Sequence, residues 1–267
     1  MNVENFPLLN KKVFITGVSR KRGIGYSLAR ECAKQGASVL IQHYEEHDAK
    51  QDWGSDDLNL LIEDIKNNLV DGQTFDHIHA NFMYDEELNN IKGFLKRNGK
   101  IDYLVCNHAL SGNDGYLNEI SSDSLDMHWQ INTKSSILLA KLFVEQHNKS
   151  NLGKIIFMTS GQSLGAMPNE ISYALSKAAL AEIVKSLAYD LSEKNITVNS
   201  VNPGVTNTGY LDEYDNNESW KEMKQSFPFG RFSEPEDAAN IITFLLSDKG
   251  SWITGQTINS EGGFRRG

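Results

Sequence analysis

A chain of 267 residues, 39% of them hydrophobic, can bury one sizeable core, and α/β chains of this length commonly stay undivided, so a single domain over 1–267 is expected. The net charge of -9, with no Lys/Arg-rich block to offset it, repels phosphodiester backbones and argues against nucleic acid as a partner. No run of about 18 or more apolar residues occurs and the opening segment lacks a signal-peptide pattern, so a cytoplasmic protein without a membrane partner is expected.

Short β-branched runs alternate with longer amphipathic stretches, the pattern of a doubly wound, seven-stranded parallel sheet of Rossmann type. In chain order the reading gives a strand at 12–16, a helix at 25–35, a strand at 38–43, a helix at 56–69, a strand at 75–80 and a helix at 85–98. A strand at 101–106, a helix at 122–147, a strand at 154–159, a helix at 171–193, a strand at 197–201, a helix at 234–246 and a strand at 256–259 follow. Cys32 and Cys106 fall inside a helix and a strand and read as small buried thiols, with no disulfide, nucleophile or metal site. Ligands of such sheets bind beyond the carboxyl ends of the strands, which directs attention to the loops after Thr16, His43, Cys106, Thr159 and Val201.

The first of these loops runs Gly17-Val18-Ser19-Arg20-Lys21-Arg22-Gly23-Ile24-Gly25 into a helix. Glycines there let backbone approach a pyrophosphate, whose charge the helix start stabilises. The cations Arg20, Lys21 and Arg22, and His43 where an NAD enzyme commonly has a ribose-binding carboxylate, favour the 2'-phosphate of NADP(H). Glu45, Glu46 and Asp48 follow closely enough to hold the ribose of NAD(H) instead.

Tyr173 and Lys177 are four residues apart and share a helix face. A phenol ionises near pH 10 in isolation, and an adjacent ammonium lowers that value, which suits Tyr173 to general acid and base work. Ser160, after the fifth strand, can donate to a substrate carbonyl, and Asn132 sits within a helix that it does not favour.

Five segments together resemble the short-chain dehydrogenases/reductases over essentially the whole chain: the glycine turn; Cys106-Asn107-His108-Ala109; Ser160; Tyr173 with Lys177; and Asn202-Pro203-Gly204 with Thr208. The resemblance implies that Tyr173 is the acid/base, Lys177 lowers its pKa and holds the nicotinamide ribose, Ser160 positions the substrate oxygen, and Asn132 anchors a water in a proton relay. It also implies that Pro203, Gly204, Val205 and Thr208 face the nicotinamide end, Asn81 the adenine, and that Asn107 stands behind the cofactor. The glycine turn is longer than usual, and His108 replaces a small residue, either touching substrate or forming pocket wall.

Enoyl reductases of related fold place the tyrosine seven positions before the lysine, where Glu170 stands, so carbonyl–alcohol interconversion on a small molecule fits better. Within that class the segments 252–256 and 260–264 resemble 3-oxoacyl-carrier-protein-reductase-like members, although Asn151, Lys194 and the overall charge do not favour an acidic carrier. A catalytically idle nucleotide-binding regulator is the reading from another class. The loop at 209–230, with Tyr210, Leu211, Trp220, Met223 and Phe227, is expected to cover substrate or to be a packed helix and loop. A homo-oligomer, a tetramer by the resemblance, is expected from apolar residues such as Ile137, Leu138, Leu180 and Ile183.

Overall fold

Alternation of side chains along a strand decides where the core sits. The computed structural model describes residues 6–51, 54–209 and 218–264. Its strands are β1 (Lys12–Ile15), β2 (Ser38–His43), β3 (Phe75–His79), β4 (Tyr103–Cys106), β5 (Gly153–Met158), β6 (Ile196–Asn202) and β7 (Thr257–Asn259), in the order β3-β2-β1-β4-β5-β6-β7. Every neighbouring pair is parallel, so both faces are covered by helices and both are apolar. Val13, Ile15, Val39 and Ile41 point to one face and pack with Leu28, Leu61 and Ile242. The residues between them, Phe14 and Leu40, point to the other and pack with Phe94, Phe143 and Leu180.

The first face is covered by α1 (Ile24–Lys34), α3 (Leu58–Asn67) and α9 (Pro235–Leu246), the second by α4 (Glu87–Asn98), α6 (Ser135–Gln146) and α7 (Ile171–Leu191). The strand order reverses between β1 and β4, which opens the crevice at their carboxyl ends. The expected seven-stranded, doubly wound sheet is therefore the observed one.

Three details differ from the sequence reading. The helix expected at 122–147 is α5 (Ser122–His128), a π-helical turn at Trp129–Lys134 and α6, because one extra residue is accommodated around Asn132. A four-residue α2 (Glu45–Asp48), too short to show periodicity, follows β2 at once. Helix α8 (Glu218–Gln225) falls within the segment read either as a cover or as a helix and loop. Leu180, expected on an open apolar face, is core, and Ile137 is partly buried against it. Cys32 and Cys106 are buried and unpaired with each other, and burial pushes both thiols well above the usual range. No helix among the described residues is long and apolar enough to cross a membrane.

Candidate active site

Two cavities meet at the carboxyl ends of the central strands, and Tyr173 lines both. The first, of about 320 Å³, lies between the glycine loop, the ends of β2 and β4, and the segment at 203–208. Gly17 has φ of +72° and a Cβ there would stand 2.7 Å from the His108 Cα; a Cβ on Gly25 would stand 2.5 Å from the Gly17 carbonyl oxygen. Only glycine allows this closeness. The Gly17 N–H donates to Gln42 Oε1 at 2.9 Å, and Asn107 Nδ2 donates to the carbonyls of Thr16 and Gly17 at 3.0 Å each, so the loop is pinned from two sides. At the start of α1 the Gly23 cap offers no side chain and the first turn carries no acid, so backbone N–H groups and the helix dipole face the cleft beside Gly23 and Ile24. This cradle fits a pyrophosphate.

Arg20 spans the cleft. Its Nη2 donates to the Thr208 carbonyl at 2.7 Å, and its Nε lies 3.3 Å from Asp48 Oδ1 on α2. Ser19 Oγ accepts the Tyr44 N–H at 3.1 Å, and Ser19, Tyr44, His47 and Asp48 line the same end, with Asn81 and Phe82 opposite. Two expected contacts are not brought here. His43 points to the opposite face because Gln42 and Tyr44 on either side of it take the cleft side of the strand; its Nε2 lies 2.9 Å from His77 Nδ1. Arg22 is exposed, stands against Gly209 and does not line the cavity.

At the other end Lys177 is buried, with Nζ donating to the Met158 carbonyl at 3.0 Å and lying 5.8 Å from the centre of the Tyr173 ring. Burial lowers its pKa from 10.5 to about 8. The helix that carries this pair is capped by a residue the sequence reading missed. Asp114 accepts the N–H groups of Tyr173 at 2.7 Å, Ser172 at 3.0 Å and Gly115 at 2.9 Å. Burial alone would raise its pKa, but the donated backbone N–H groups outweigh that and hold the carboxyl below its ordinary value. In sequence, Asn113-Asp114-Gly115 signals only a turn, and nothing ties it to residues some fifty-eight positions later.

Ser160 is extended at the end of β5 and lines the second cavity, of about 410 Å³, with Tyr173, Met167, Gly204, Val205 and Phe264. Phe264 stacks on Phe227 at 4.2 Å, so part of the expected cover backs the cavity wall, while Met223 is exposed. Tyr210, Leu211 and the Trp220 side chain lie outside the described residues. Pro203 and Thr208 line the first cavity.

Asn132 does not reach either cavity. Its Oδ1 accepts the Leu110 N–H at 2.6 Å, and its Nδ2 donates to the Leu110 carbonyl at 3.1 Å and to Ser176 Oγ at 2.9 Å, which uses the whole amide as a clamp between the π turn, the segment after β4 and α7. His108 is wall: Nε2 faces the Ile131 carbonyl at 3.0 Å and so carries the proton, while Nδ1 accepts from the Thr16 hydroxyl at 2.6 Å. Burial first, then the Lys177 charge, lowers its pKa to about 3, which keeps the ring neutral.

A family model described as enoyl-(acyl carrier protein) reductase matches residues 17–265. An uncharacterized oxidoreductase, YjdA, of Bacillus subtilis is 38% identical over 96% of this chain and 98% of its own length. A 3-oxoacyl-(acyl-carrier-protein) reductase, FabG, of Rickettsia felis is 32% identical over 96% of this chain and 97% of its own. Among solved structures, an angucycline C-6 ketoreductase, LanV, crystallised with bound NADP, is 27% identical, covers 98% of each chain and superposes with a TM-score of 0.83. The fold, the glycine cradle and these matches over nearly the full length lead to one assignment: the chain belongs to the short-chain dehydrogenase/reductase family of oxidoreductases.

Proposed function

We propose that the protein interconverts a carbonyl and an alcohol on a small molecule, with NADP(H) as its preferred cofactor. The observation that carries this reading is the place of Tyr173 on the wall shared by two cavities, with buried Lys177 on one side and Ser160 on the other. The nicotinamide, when bound, supplies or accepts the hydride. Tyr173 holds the proton for the substrate oxygen, Ser160 donates a hydrogen bond to that oxygen, and the Lys177 ammonium favours the phenolate while reaching the ribose. Asn132 contributes by positioning: its side-chain amide holds the π turn and the segment after β4 against α7, and its backbone carbonyl accepts the Ser136 hydroxyl at 2.7 Å.

The preference for NADP(H) rests on Arg20 and Ser19 at the ribose end, in place of the His43 and Arg22 favoured by sequence. Asp48 is the carboxylate an NAD enzyme would use, and here it is turned to the Arg20 guanidinium. NADPH should therefore exceed NADH by about tenfold or more in kcat/KM, a difference of about 1.4 kcal/mol that one charge-assisted contact supplies. Arg20→Ala should weaken NADPH more than NADH; equal kcat/KM for both cofactors in the native enzyme overturns the preference.

Tyr173→Phe tests the chemistry. Turnover of an activated ketone should vanish while NADPH affinity stays within a few-fold, since the ring remains and the proton donor is lost. Retained turnover removes Tyr173 from the mechanism. A native chain that binds NADPH yet reduces no ketone, acyl thioester, sugar or steroid supports the idle regulator instead.

A further inference from the structure

At the outer edge of the sheet, β3 carries His77 and His79 two residues apart, hence on one face. Parallel pairing sets His43 of β2 beside His79, and α2 follows β2 directly, bringing Glu45 and Glu46 to the same corner. His79 Nε2 lies 2.9 and 3.2 Å from the two Glu46 carboxylate oxygens. Donor atoms of Glu45, Glu46 and His79 all fall within 4.8 Å of one another.

A second observation comes from the buried side of the cluster. The His43 side chain is only 4% exposed, and its Nδ1 lies 2.5 Å from Glu45 Oε1. Neither atom has a hydrogen-bond partner, because the two are misaligned for that bond. On its other side His43 Nε2 faces His77 Nδ1 at 2.9 Å. In the tautomer that donates Nε2–H to His77, the buried Nδ1 lone pair faces the Glu45 carboxylate, a contact that a cation at this corner relieves.

We propose that Glu45, Glu46 and His79, with His43 behind Glu45, form a site for a divalent transition metal of the zinc class. Mixed imidazole and carboxylate donors suit zinc, nickel or cobalt over magnesium and calcium, which take oxygen ligands. Bonds of about 2.0–2.2 Å put neighbouring donors roughly 3 Å apart, the separation His79 and Glu46 already have. Glu46 and His79 are exposed, which leaves the ion an entry path. The bound ion ties α2 to the sheet edge, and with it the cleft wall formed by Tyr44, His47 and Asp48.

The experiment is a calorimetric titration of zinc chloride into the untagged, chelator-treated full chain, repeated with cobalt to read its visible bands. One site per chain with a Kd below about 10 μM is expected, and His79→Ala and Glu46→Gln should each weaken it by about tenfold or more. Glu46 is a surface side chain, so its variant keeps the test sound if His79→Ala disturbs the edge strand. Zinc binding that is unchanged in both variants, or absent below about 1 mM, overturns the proposal. Neither result depends on turnover, so it stands apart from the reading of Tyr173.

Discussion

Lys177 is an ammonium held away from water by one carbonyl, and that arrangement has a thermodynamic cost that activity alone does not reveal. Its pKa falls from 10.5 in the unfolded chain to about 8 in the fold, so between these values the unfolded state binds more protons. The penalty is fully present below pH 8, shrinks as pH rises and is gone above 10.5; in magnitude it is on the order of 3 kcal/mol. Lys177→Met should abolish turnover and raise stability at pH 7 by about 1–3 kcal/mol, with the gain lost near pH 10.5, as read by urea melts at the two pH values. A destabilised variant at pH 7 contradicts this. Asp114 acts in the opposite sense. Asp114→Ala removes the acceptor for the N–H groups of Ser172 and Tyr173, and should cost about 1–2 kcal/mol and lower kcat, with much of both restored by Asp114→Asn. Unchanged melting and kcat in the alanine variant would show that water replaces the cap without loss.

Elements, more than single residues, mark where sequence reading succeeds. Short β-branched runs gave all seven strands, because burial on both sides of the central parallel strands leaves little freedom, and i to i+4 spacing gave the Tyr173 and Lys177 face. What it missed turns on one-residue geometry. Side-chain alternation at the end of β2 sends His43 away from the cleft and Gln42 into it, and the π turn shifts the register of everything after Trp129. The partners of Asn132, Asp114 and Arg20 are distant in sequence, so no local pattern announces them. The glycine loop supplies an element-scale prediction. Gly25→Ala pushes a methyl group to 2.5 Å from the Gly17 carbonyl and should lift the loop off Asn107, weakening NADPH by about tenfold or more in a fluorescence titration while the fold persists. Native affinity in that variant means the loop relaxes without disturbing the cradle. Asn132→Ala leaves the Leu110 N–H and carbonyl without their partner in a buried setting, at about 1–3 kcal/mol for each group.

On the scale of the whole molecule, the outer face of α7 shows Leu175, Ile183 and Tyr189 to solvent, and Trp252 is 98% exposed. A homo-oligomer is the expected state, and light scattering should give a multiple of 29.9 kDa; a mass of one chain at micromolar concentration overturns it. The two cavities also have an unusual ancestry along the polypeptide. Gly17 forms one wall of the first, while Glu261 and Phe264 close the second. Release of β1 to β6 alone leaves the face under α9 uncovered and no complete substrate chamber, because Gly204 meets Glu261 only after the final strand is laid down. A chain halted after Asn259 keeps every residue that lines the first cavity and loses Glu261 and Phe264 of the second, so it should bind NADPH yet turn over nothing.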